Sequence, residues 1–582
     1  MKQLNNWRLY VLALVCASGP LTGCTDEDYK FDEIDGTLGF GGGTLTLPSN
    51  NSVNITLDDI LDLGNTDLIS TDANGDYRFG KDPETVEPVK VKVDPITLSS
   101  DRSEAFAFSF TIPDEVMMLP VTTIDCTTLP ADVQALLTPS ADIEKLEYEF
   151  AVPAEVEDLD YVAVGGDKGV ALRLTLQMPA IVTKSVITLD LPDMLDIPSG
   201  LEEGNVLKVE NPAGTQVFDF TVKGIIIGDE PSAANADEYA YLKDGKFQMK
   251  GYANLTLKIN ELTKPASSAV EVGAGIQMDA IRITSATGLF NPTVSPKTVG
   301  STTVNSLPDF LENKDVVADI DNPQIWLDIE SDLPLGGKVE ASLTSSTSNK
   351  AVLLNEDNGN VLNIAANGTS RLVVCRKAPA GLSGYTPVIA SDLSEVICKL
   401  AEPMTISVGV TRFEAVQDSP VTVELGHEYE FRPAYRFTAP LALGDRAVII
   451  YNKEETGWNG DIKDFQLSKG AQITVTADVE NNVPGDVEVN ISPLGMNGLA
   501  LAGLTVTPVQ NQVAAGEVSR IEYTITDQTG TAFKELDGVE YSIEITAPGK
   551  QSMKGVALNK NQALRISNAT VRVEGKFIVN AD

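Results

Sequence analysis

Leu172-Arg173-Leu174-Thr175-Leu176 places an apolar residue at every second position. Such a run buries one face of an extended strand and wets the other, because successive side chains point to opposite sides. The rhythm recurs at Val89-Lys90-Val91-Lys92-Val93, Ile473-Thr474-Val475-Thr476-Ala477 and Ile521-Glu522-Tyr523-Thr524-Ile525. Asn74-Gly75, Asn358-Gly359, Asn367-Gly368 and Asn459-Gly460 punctuate these runs, and Asn-Gly accepts the positive φ angles of tight hairpins. Helix-period stretches are short, at 57–61, 131–137 and 233–241. The expectation is an all-β, elongated chain of several β-sandwiches with tandem repeats and few short helices.

Leu191-Pro192-Asp193-Met194-Leu195 recurs as Leu307-Pro308-Asp309-Phe310-Leu311. A strand-like segment ending at Asn211-Pro212 follows the first copy, and one ending at Asn322-Pro323 follows the second. Upstream, 170–174 answers 280–283. Three elements in one order predict tandem units, with Met194 and Phe310 as buried plugs, Pro192 equivalent to Pro308 and Pro212 to Pro323. The division that follows is 1–23 as a leader, 24–139 as a tether and β domain, 140–245 and 246–400 as repeats, and 401–582 as C-terminal β structure. A smaller echo links Ile329-Glu330-Ser331-Asp332-Leu333-Pro334 to Val479-Glu480-Asn481-Asn482-Val483-Pro484. This strand, turn, strand rhythm is similar to the sandwich domains of late-embryogenesis-abundant type 2 proteins, a resemblance that implies fold alone.

At the N-terminus, Lys2 and Arg8 precede an apolar stretch, Leu9 to Ala17, that is too short to span a bilayer. Leu21-Thr22-Gly23-Cys24 then resembles the lipobox of a bacterial lipoprotein. The resemblance implies cleavage before Cys24 and acyl chains, such as palmitate, on that residue. Thr25-Asp26-Glu27-Asp28 resembles the export signal of Bacteroidota surface lipoproteins. It implies an outer-membrane protein facing outside the cell, with Asp26, Glu27 and Asp28 as the signal.

The whole chain carries 43 basic and 83 acidic residues. Residues 1–23 hold two basic and no acidic ones, which leaves 41 against 83, a formal balance of −42. A nucleic-acid partner needs a basic footprint, and no basic stretch is present. The acidity suits solubility and self-repulsion on a crowded surface. Cys375 and Cys398 each end a strand-like run, so the pair suits either a cross-strand disulfide or two buried thiols.

The patterns that carry enzyme chemistry fail here. His427 is the only histidine, so it has no second imidazole for a zinc site and no recognisable triad. Asp72-Ala73-Asn74-Gly75-Asp76 departs from a calcium loop, with Tyr77 where glycine belongs, and reads as an Asn-Gly hairpin. Gly336-Gly337-Lys338 lacks the flanking residues of a phosphate loop and reads as a turn between strands. No metal and no cofactor is expected. Two tryptophans remain as ligand contacts: Trp326, on the polar side of Ile325-Trp326-Leu327-Asp328-Ile329, and Trp458, in a polar loop. The reading is a non-enzymatic surface lipoprotein acting as a scaffold, adhesin or accessory subunit of an envelope complex. Its partners are the membrane, through the acyl chains, and an envelope protein or a glycan. The alternatives are a glycan-binding accessory of an outer-membrane nutrient importer, or an elongated β carrier of an apolar ligand.

Overall fold

The computed structural model describes residues 37–580 apart from 49–51, 62–68, 82–84, 95, 98–101, 233–235, 265, 293–296, 305–310, 312, 349, 399–403, 458, 460–464 and 468. The alternating runs pair into antiparallel sheets, and the chain is all-β and elongated. Helices occur at Leu57–Leu61, Asp114–Met117 and Ala131–Leu136. The helical turn expected at 233–241 is not formed at its C-terminal end. Asp244 (φ 51°) and Gly245 (φ 70°) make a tight turn there that folds Tyr239–Lys243 onto Lys246 and its successors as a hairpin.

Three sandwiches share one plan. The N-terminal strands β1 (Thr37–Pro48), β2 (Tyr77–Lys81) and β3 (Arg102–Thr111) come first. The first sandwich adds β4 (Ser140–Ala151), β5 (Val170–Gln177), β6 (Val182–Asp190), β7 (Lys246–Thr263) and β8 (Ala269–Met278). The second adds β9 (Lys297–Val304), β10 (Gln324–Ser331), β11 (Gly336–Ser345), β12 (Met404–Val416) and β13 (Tyr429–Pro440). The third adds β14 (Val448–Glu455), β15 (Gln472–Asn481), β16 (Asp486–Gly495), β17 (Leu536–Thr546) and β18 (Ala563–Asn580). Within each set the last strand pairs with the second: β8 with β5, β13 with β10, β18 with β15. The fourth lies between the third and the first in the facing sheet, as β7 does between β6 and β4. β12 and β17 repeat that placement.

The N-terminal strands complete these sheets in reverse order. β1 pairs with β18 of the third sandwich, β2 with β13 of the second and β3 with β8 of the first. The described chain therefore begins in the third sandwich, runs to the first and returns. Pairing crosses both borders expected from the sequence repeats. β7 belongs with β4 and β6 despite the border at 245/246, and β12 and β13 belong with β9, β10 and β11 despite the border at 400/401. β1 and β3 are edge strands of the third and first sandwiches, and β2 lies in the sheet of the second with Ile69–Thr71 outside it, so 24–139 is not a domain of its own.

The repeat also has a different register from the one expected. Met194 is buried as a plug, with Pro192 beside it, over Gly251 of β7, where a Cβ would stand 2.6 Å from Met194 Cε. That plug follows β6, whereas Leu307 to Leu311 falls between β9 and β10, and of these residues only Leu311 is among those described. Asn211-Pro212 follows the strand Val206–Glu210, whereas Asn322-Pro323 directly precedes β10. The paired prolines thus sit at unrelated points of the plan.

The smaller echo is the structural one. Asn481-Asn482-Val483-Pro484 carries the chain from β15 to β16, and Ser331-Asp332-Leu333-Pro334 from β10 to β11. Leu176-Gln177-Met178-Pro179 does the same from β5 to β6. In all three the first and third residues are buried and the second is exposed.

The sandwiches join in series. Arg282–Phe290 pairs with Val156–Val164 of the first and with Val421–Glu424 of the second. Tyr77 N donates to Leu558 O and Leu558 N to Leu441 O, each at 2.8 Å, which ties the second to the third. One apolar cluster runs through all three, from Leu57 and Leu172 to Ile545 and Leu564.

Candidate functional site

The most developed polar and aromatic surface lies on the outer face of the second sandwich. Alternation along β10 turns Ile325, Leu327 and Ile329 into the core and leaves Trp326, Asp328 and Glu330 outside. The neighbouring strands set Val373 and Arg436 opposite Trp326, and Arg371 and Ala434 opposite Asp328. Tyr385 arrives from the segment before the parallel strand Thr386–Ile389. Its ring meets the indole edge-on, with centroids 4.8 Å apart at 83°. The Arg436 guanidinium stands 5.6 Å from the indole centroid. Trp326 Nε1 donates to Gln324 Oε1 at 3.2 Å, and Tyr385 OH donates to Asp328 Oδ2 at 3.0 Å. Burial and then the Asp328 carboxylate push the Tyr385 phenol above its usual range. Arg371 Nε lies 3.3 Å from Asp328 Oδ1.

An open cleft of about 670 Å³ adjoins this cluster, lined by Asn363, Thr369, Ser370, Arg371, Gly384 and Thr386. Amide, hydroxyl and guanidinium groups beside an aromatic pair suit a neutral polyol, by hydrogen bonding and ring stacking. No carboxylate is among the residues lining the cleft, and Asp328 beside it is engaged by Tyr385 and Arg371, so the lining lacks the acid pair of glycoside hydrolysis. Trp326 was legible from alternation. Tyr385 and Arg436 were not, since each lies more than fifty residues from Trp326 in the chain.

The other expected sites fall as follows. Cys24, Asp26, Glu27, Asp28 and Trp458 lie outside the described residues. Cys375 and Cys398 are free thiols in this structure, the first buried and the second half-buried. Cys375 ends its strand inside the core with its thiol directed to Val373 O, whereas Cys398 directs its thiol to Glu395 O. Burial pushes both thiols up. His427 is exposed and packs edge-on against Tyr429, with centroids 4.6 Å apart. Asp72 Oδ1 accepts from Asn74 N and Asp76 N, and Gly75 has φ 86°, so the acidic loop is the expected hairpin. Gly336-Gly337-Lys338 is not a turn but the start of β11. The voids inside the second and first sandwiches measure about 60 and 30 Å³ and are apolar, too small for an acyl chain.

At the junction of the second and third sandwiches a buried carboxylate is clamped. Asp319 Oδ2 accepts from Arg446 N at 3.0 Å, and Arg376 Nη1 lies 3.7 Å from Oδ1. Arg446 also pairs with Glu395. The cluster fixes backbone against backbone and presents no open face to a ligand.

No protein-family model matches the chain, and no curated protein matches it. Among solved structures, a Parabacteroides distasonis protein described as secreted is 14 % identical, covers 48 % of this chain and 83 % of its own, and has a TM-score of 0.35. An exo-β-agarase is 8 % identical over 24 % of this chain and 21 % of its own, with a TM-score of 0.13. The infectious bursal disease virus Gx strain structure is 9 % identical over 84 % of this chain and 82 % of its own, also at 0.13. At these scores none of them transfers a function. No helix among the described residues is long and apolar enough to cross a membrane.

Proposed function

We propose that the chain is a non-enzymatic, lipid-anchored protein of a bacterial outer membrane that acts as a surface scaffold, adhesin or accessory subunit. The observation that carries this reading is the reversed threading of the N-terminal strands. The segment after Cys24 enters the third sandwich, and the first sandwich is reached only through the second. An anchor at Cys24 then holds the third sandwich at the membrane and the first sandwich away from it. Series packing through shared sheets and a continuous core makes the array a spacer of fixed order. An epitope tag in the exposed turn at 202–204 of the first sandwich is expected to bind antibody on intact cells, and Cys24→Ala to release the protein from the membrane fraction. A tag shielded on intact cells, or a Cys24→Ala protein that still fractionates with membranes, would refute the reading.

The cleft beside Tyr385 supports a second reading, a glycan-binding accessory protein of a nutrient importer. Binding on a glycan array that is lost in Tyr385→Ala and Trp326→Ala would favour it. Unchanged binding in both variants would remove the cleft from consideration.

A further inference from the structure

The third sandwich has a free end that exposes an uncharged loop. Residues 489–516 are 28 in a row without a charge, in a protein where 22 % of residues are charged. The next longest uncharged run is 36–57, 22 residues, and it contains β1 of the same sandwich. Pairing fixes which part of each run lies at that end, since 511–516 and 53–57 return to the junction side, where Gly516 N donates to Asn481 O and Thr56 pairs with Ala563. β18 begins at Ala563 beside the second sandwich and runs away from it to Asn580. Asn580 pairs with Thr37, Glu574 with Gln472, Gln472 with Thr526, Asp527 with Leu504, and Leu536 with Gly495. The loop from Gly495 to Leu504 and the N-terminal entry at Thr37 are therefore at one end, opposite the junction. The loop presents Met496 at 68 % and Leu499 at 65 % exposure. Backbone bonds hold it in shape: Gly495 N donates to Leu499 O and Leu501 N to Pro493 O.

We propose that this loop is a second membrane contact, in which Met496 and Leu499 insert into the lipid surface beside the acyl anchor. The inference rests on Cys24 being acylated. Twelve residues lie between Cys24 and Thr37, so the link spans roughly 45 Å at most, and the free end of the third sandwich is the part of the protein held nearest the bilayer. The loop itself, 495–504, carries no charge, so in a chain with a balance of −42 it is the part of this end that meets a lipid surface at lowest electrostatic cost, with Glu535 exposed beside it. Two large apolar side chains on a bonded loop add burial in the interface without ordering a flexible segment. The anchor alone fixes only a point. A second contact fixes the direction in which the three sandwiches point.

The test uses the acylated full-length mature protein in phosphatidylcholine vesicles whose acyl chains are brominated. A fluorophore is placed through Leu499→Cys, and in a second sample through Glu203→Cys in the first sandwich. Insertion by 5–10 Å predicts about twofold quenching at 499 and none at 203. Met496→Asp in the Leu499→Cys background should abolish the quenching while the protein stays vesicle-bound. Bound protein with an unquenched probe at 499 would overturn the insertion and leave the lipoprotein reading intact. Protection of that probe from an aqueous quencher without lipid quenching would mean that a protein covers the loop, and would also overturn it. A mature chain without acyl chains on Cys24 would overturn both readings.

Discussion

The crossing turns of the second and third sandwiches have the same path and different chemistry. In both, the backbone N–H of the residue before proline must be satisfied inside the core. Asn481 meets this need in the third: its Oδ1 accepts from Val483 N at 2.9 Å, and its Nδ2 donates to Gly485 O, Val513 O and Ala514 O. Ser331 meets it in the second with a single acceptance, Leu333 N to Oγ at 3.2 Å. The first sandwich puts Leu176 at that position and satisfies Met178 N with Gly214 O. The geometry is thus set by the burial pattern and the proline, while the residue that supplies the polar clasp is free to vary. How much stability that residue carries should scale with how many buried groups depend on it.

Asn481→Leu is expected to be the most damaging change, about 3–4 kcal/mol by urea unfolding, because it leaves an N–H and buried carbonyls without partners. A loss below about 1 kcal/mol would mean that the turn does not depend on the amide. Asp527, also in the third sandwich and fully buried, comes next. Burial raises its carboxyl pKa, but N–H donors from Gly530, Phe533 and Thr529 and the Thr529 hydroxyl outweigh this and hold it below the ordinary value. Asp527→Ala should cost about 2–3 kcal/mol. Because the folded pKa is depressed, this contribution is present above the unfolded carboxylate pKa and is lost as the pH falls through the folded one. Wild type should therefore lose stability relative to Asp527→Ala as the solution is acidified below about pH 4. A constant difference between the two proteins from pH 7 to pH 3 would contradict the assignment. Ser331→Ala should cost about 1 kcal/mol, clearly less than Asn481→Leu. Gln177→Ala, at the exposed second position of the first turn, should stay within about 0.5 kcal/mol of wild type. A cost for Gln177→Ala as large as that for Ser331→Ala would remove the distinction between the clasp and the exposed position.

The strands were legible wherever one face is wet. The run at 170–176 alternates because one side of its sheet is buried and the other is not, whereas at 473–477 Thr476 is buried as well and Val475 only half-buried. The repeat was legible only in part. Leu191 to Leu195 and Leu307 to Leu311 share letters without sharing a place in the plan, whereas the three crossing turns share a place with only proline in common. A repeat preserved as burial pattern leaves little identity to find. The reversed N-terminal strands left no trace, since pairing across hundreds of residues has no local signature. At the candidate site Trp326 stood out, but the cleft is made by Asn363, Arg371 and Thr386, which only the sheet brings to it. The uncharged run at 489–516 was visible in the sequence and vanishes when composition is averaged over the chain.

The reversed threading also sets the order in which the protein can be completed. Thr37 pairs with Asn580, 543 residues away, so the first described strand must wait for the last. β2 and β3 wait in the same way for β13 and β8. None of β1, β2 and β3 joins its sandwich through a local hairpin with β18, β13 or β8, and closing such long loops slows folding. Until the later strands are made, the N-terminal strands and the sheet edges they will cover stay unpaired together, the state most open to wrong partners. Folding of this chain is therefore completed only when its last described strand has been made, and the third sandwich, which holds both the first and the last described strands, is the last to become whole.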